Sequence, residues 1–96
     1  MNREELRKQD IRDLWAVLHT REGARFLSRL FDMTRLFSIS FVPGDGSATA
    51  FNEGARNVGL SIYADTLDTG EDVEPLLRRA RAERQITTDE DNKEVF

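Results

Sequence analysis

Apolar residues recur at helical spacing in four stretches of this chain, each followed by polar or turn-forming residues. Ile11, Leu14, Trp15 and Leu18 fall at i, i+3, i+4 and i+7, which predicts a helix from about Arg3 to Leu18 with Trp15 as a core anchor. Thr20 suits the N-cap of a second helix starting near Arg21 and reaching about Phe37. So short a connection predicts an antiparallel hairpin. Phe26, Leu27, Leu30, Phe31, Met33, Leu36 and Phe37 cover well over half of the second helix, too much for an ordinary surface element. It is expected either to lie centrally in a bundle or to lend part of its surface, Phe31 and Phe37 included, to a partner chain.

From Ser38 the pattern alternates, with Ile39 and Phe41 between serines, and predicts an extended piece that ends in a Pro43-Gly44-Asp45-Gly46 turn. Ser47 or Thr49 is the expected N-cap of a third helix running to about Thr66. Along it Phe51, Ala55, Val58 and Ile62 are expected to face the core, with Asn52, Glu53, Arg56 and Asn57 beside or opposite them. Gly54 and Gly59 interrupt that helix, each costing roughly 1 kcal/mol against alanine, and close approach by another helix is the cheapest explanation. A fourth helix opens with Glu71, Asp72 and Glu74, tolerates Pro75 in its first turn, and carries Val73, Leu76, Leu77 and Ala80 as its stripe. The fold class is therefore all-α: a small bundle of about four helices with a short extended segment between helices 2 and 3. Residues 1–85 form one domain and residues 86–96 an acidic polar tail, closed by the apolar pair Val95 and Phe96.

Composition narrows the function classes. The chain has no cysteine, so neither a disulfide framework nor a thiolate metal site nor a thiol nucleophile is available. The N-terminal residues mix both charges without a signal-peptide core, and no apolar run approaches the roughly 20 residues needed to span a bilayer. The net charge of −4 is uneven: the first 35 residues carry a small cationic excess and the remainder an acidic one. No specific nucleic-acid binding is expected of such a balance.

Candidate chemistry is sparse. His19 is the only histidine, sits at a predicted helix end and has no nucleophile motif beside it. Glu53 is the one plausible catalytic acid, but Arg56 is placed to pair with it and no second carboxylate stands at glycosidase spacing. The expected role of Glu53, Arg56 and Asn57 is to tie helix 3 to the Ile39–Val42 segment or to a neighbouring subunit. Pro43 to Ser47 lacks the lysine of a phosphate loop and reads as a turn. Arg78, Arg79, Arg81 and Arg84 read as a solvated helix face. The reading is of a non-enzyme without cofactor or metal, whose interaction residues are Asn52, Glu53, Gly54, Arg56, Asn57, Gly59, Phe31, Phe37, Val95 and Phe96.

The stretch Thr49-Ala-Phe-Asn-Glu-Gly-Ala-Arg-Asn-Val-Gly-Leu60, preceded by Trp15-Ala-Val-Leu and by Gly23-Ala-Arg-Phe-Leu-Ser-Arg-Leu, resembles a family of small tailed-phage proteins named from a Bordetella phage protein. The similarity covers roughly Ile11 to Leu67. The resemblance implies a virus-encoded protein found among structural and morphogenesis genes of short-tailed phages, and it implies no catalytic residue. The expected function is that of a virion component at the portal, internal core or DNA-ejection apparatus, present in several copies of a symmetric assembly and partnered by other virion proteins. The alternative is a non-virion module that docks on a host or phage protein during infection.

Overall fold

The computed structural model describes residues 1–37 and 42–86, and among these are four helices and no strand: α1 (Arg3–Leu18), α2 (Arg21–Met33), α3 (Gly46–Asp68) and α4 (Val73–Glu83). Most of the extended segment expected before α3, and the tail with Val95 and Phe96, lie outside the described residues. α2 packs against α1, α3 and α4, and α1 packs against α3, so the apolar second helix is central.

Local chemistry fixes the helix ends. Asn2 caps α1 by accepting from Glu5 N at 2.8 Å, and Thr20 caps α2 by accepting from Gly23 N at 2.9 Å. The α1–α2 hairpin is so tight that a Cβ at Gly23 would stand 2.1 Å from the Val17 carbonyl oxygen. α3 is capped by Asp45, not by Ser47 or Thr49: its carboxylate accepts from Ala48 N at 2.8 Å. Thr49 instead accepts from Val42 N at 2.9 Å, fastening the turn before the helix.

α2 ends four residues earlier than its apolar pattern predicts. Arg35 takes a left-handed conformation (φ 55°), Leu36 N donates to Phe31 O at 3.1 Å and Arg35 N to Asp32 O at 3.1 Å. These two bonds are the Schellman stop, and the apolar contact that accompanies it is made by Leu36 and Phe31, both in the core. Leu36 thus continues the apolar period of the helix without belonging to it.

The core consists of Leu18, Leu27, Phe31, Leu36 and Val73, with Leu14, Leu30, Ile62, Tyr63, Leu76 and Leu77 packed around them. Trp15 is not a core anchor: it is 44% exposed at the end of α1, its indole N–H donates to Glu71 Oε1 at 2.8 Å, and its ring stacks on His19 at 3.9 Å. An indole needs a partner for its N–H, and the carboxylate in the α3–α4 turn holds it at the surface.

Candidate interaction surfaces on helices 2 and 3

The inner face of α3 is polar. Asn52, Gly59 and Thr66 are buried and Arg56 and Tyr63 half-buried, positions that step by three and four residues along one side of the helix. The stripe expected to face the core turns outward instead: Phe51 is 76% exposed and Val58 56%, while Ile62 alone of that set packs against the core. The reason is on α2, whose Schellman turn presents a backbone carbonyl and a hydroxyl to α3. Arg56 Nε donates to Leu36 O at 3.3 Å, and Thr34 lies so close that a Cβ on Gly59 would come within 2.2 Å of its Oγ1. Apolar side chains cannot answer a free carbonyl, so polar and small residues win the inner face.

The two glycines consequently have different meanings. Gly59 serves the close approach to Thr34 that sequence reasoning expected. Gly54 faces open space, with nothing within 4 Å of an added Cβ among the described residues, so none of these makes the expected close approach. Asn52 and Glu53 are both engaged in interactions, whereas Asn57 is exposed. Arg56 ties α3 to the end of α2 through Leu36, and all of the anticipated Ile39–Val42 segment but Val42 lies outside the described residues.

α2 has a comparable division. Phe31 lies in the core, its ring meeting Tyr63 edge-on at 5.7 Å. Phe37 is 73% exposed beyond the helix end and meets the same Tyr63 at 5.9 Å. Phe26 and Met33 are exposed on the outer side of α2. Phe31, Phe37, Tyr63 and Leu77 floor a groove of about 250 Å³ with Arg78 and Arg81 at its edge.

Charge is arranged as clasps between helices. Arg7 reaches from α1 to Asp65 and Asp68 on α3, both at 2.7 Å, and those hydrogen bonds push its guanidinium pKa above the ordinary value. Glu83 on α4 accepts from Arg21 Nε at 3.1 Å and from Arg25 Nη1 at 3.2 Å, and the Arg21 hydrogen bond above all holds its carboxyl below the ordinary carboxylate value. Arg84 bonds Asp32 at 2.9 Å and Ser28 at 3.2 Å, and Arg78 pairs with Glu74 within α4. The arginine cluster is thus largely spent on carboxylates. His19 sits at the α1 C-cap, its Nδ1 2.8 Å from Trp15 O.

Among the described residues no group of three His, Cys, Asp or Glu could hold a metal ion, and no helix is long and apolar enough to cross a membrane. A family model described as Bbp19-like phage protein matches residues 15–81. The match begins just inside the stretch from Ile11 to Leu67 that carried the resemblance and runs past its C-terminal end to take in most of α4. No curated protein and no solved structure matches the chain.

Proposed function

This chain belongs to the Bbp19-like phage protein family, and from that premise we propose that it is a structural protein of the virion. It acts as a small subunit at the portal, internal core or DNA-ejection apparatus, by packing against other phage proteins and not by catalysis. One observation carries the reading. Among the described residues twelve large apolar side chains are exposed, Phe26, Phe37, Phe51 and Val58 among them, while seven hydrophobic residues are buried. Single exposed apolar residues are ordinary, but an excess over the core on so small a chain suits a subunit whose burial is completed by neighbours.

The test is quantitative mass spectrometry of purified DNA-filled particles and of particles that have ejected their DNA. The protein is expected in filled particles at several copies each. Loss on ejection assigns it to the internal core or ejected set, and retention to the portal or tail. Absence from both preparations overturns the proposal in favour of a module that acts on a host or phage protein outside the particle.

A further inference from the structure

We propose that the groove between α2, α3 and α4 is the docking site of the chain's own acidic segment, residues 87–96. Val95 and Phe96 lie on its aromatic floor, and the carboxylates before them run along its arginine edge. The segment lies outside the described residues, and the contact is independent of where the protein acts.

The groove is open above and apolar below. Phe31, Tyr63 and Leu77 form its floor, and Phe37, 73% exposed, forms a lip whose ring meets Tyr63 edge-on at 5.9 Å. Its volume of about 250 Å³ is below the roughly 300–1,000 Å³ of pockets that enclose a drug-sized molecule. Such a site takes one or two side chains of a peptide, and an aromatic among them meets ring edges. The rim is charged. Asp32 and Glu74 stand on it, engaged by Arg84 and by Arg78. Arg79, on the same helix, has Glu83 at 4.0 Å. Among the described residues Arg81 has no ion pair, which makes it the uncompensated charge of the rim. The groove therefore fits an acidic peptide with an apolar end.

The chain carries such a segment within reach. Residues 87–96 hold Asp89, Glu90, Asp91 and Glu94 against Lys93 alone, followed by Val95 and Phe96. α4 ends at Glu83 and is itself one wall of the groove, whose rim from Arg81 back to Glu74 spans about 10 Å of helix. An extended chain covers about 3.3 Å per residue, so the residues from Ile86 to Asp89 suffice to reverse direction and Val95 has about 30 Å of reach. The acids then pass Arg81 before the apolar pair arrives at Tyr63 and Phe37. A tethered segment acts at an effective concentration on the order of millimolar, so it fills a matching groove ahead of a free peptide of the same chemistry. Residues 38–41, which also lie outside the described residues, follow Phe37 but carry no charge to answer Arg81.

The test is nuclear magnetic resonance of the full, isotope-labelled chain. Nuclear Overhauser contacts are expected from the Phe96 ring and the Val95 methyls to Phe37, Tyr63 and Leu77, at intensities independent of protein concentration. Phe96→Ala is expected to shift the resonances of those three residues and to leave those of Leu18 and Ala24, both fully buried elsewhere in the bundle, in place. Arg81→Gln, at an exposed rim position, is expected to weaken the contacts roughly two- to fivefold, and added salt acts in the same direction. Absence of the contacts overturns the docking, as do contacts to the groove floor from Ile39 or Phe41 in place of Phe96. Contacts that arise only between a labelled and an unlabelled chain assign the groove to a second copy and overturn it too. Contacts undiminished by Arg81→Gln overturn the electrostatic selection on which the choice of segment rests.

Discussion

Two glycines on one helix separate what a residue type costs from what a contact requires. Gly59→Ala drives a methyl group into Thr34 and is expected to destabilise the fold by about 1–3 kcal/mol through overpacking. Gly54→Ala meets nothing among the described residues and is expected to stabilise the fold by about 1 kcal/mol, the helix-propensity gain. Thermal denaturation of both variants at low concentration checks the opposite signs, and equal destabilisation would contradict the described environment of Gly54. Sequence alone could not separate the two, because both interrupt the same helical pattern and only the position of Thr34, 25 residues earlier in the chain, distinguishes them. Arg35 was equally hidden. A left-handed residue at that position is usually glycine, and an arginine carries no such signal.

Helix identity was legible from periodicity, and the start of α2 was legible because Thr20 is a strong cap at a clear pattern break; α1 has the bounds its apolar spacing predicts, with an Asn2 cap that the spacing did not reveal. Facing was not legible for α3. Periodicity assigns the apolar side inward, but the C-terminal turn of α2 supplies a carbonyl that needs a donor, and that tertiary demand rotates the helix so that Arg56 answers it. The α2–α4 clasp was invisible for a related reason: Arg21, Arg25 and Glu83 are about 60 residues apart and share no local pattern. Its pH dependence has a definite sign. The folded-state pKa of Glu83 lies below the ordinary 4.5, so its contribution is present above that value and is lost as pH falls through the folded value. Glu83→Gln is therefore expected to lower the melting temperature at neutral pH, with the gap closing as pH falls from the ordinary 4.5 through the lower folded-state value and the wild-type carboxyl is protonated. A gap that persists undiminished in acid would mean the clasp does not depend on the carboxylate charge.

At the scale of the whole molecule, apolar contact with the core is concentrated at one end of the longest element. Ile62, Tyr63 and Thr66, in the C-terminal half of α3, meet the core, whereas the first half carries Phe51 and Gly54 into solvent. Local opening free energy follows buried contact. Amide hydrogen exchange in dilute solution is thus expected to be faster from Ala50 to Val58 than from Ile62 to Thr66. Uniform exchange along α3 would show that the helix does not divide in this way.

The displacement of Trp15 from the core to the junction of α1 with the α3–α4 turn has a practical corollary. The chain's single indole is stacked on its single imidazole and hydrogen-bonded to one carboxylate. Fluorescence excited at the red edge therefore originates from one chromophore in one defined setting, and its colour and lifetime register whether the end of the first helix remains seated on that turn. The molecule carries its own optical gauge of that joint, built from residues already present in the chain.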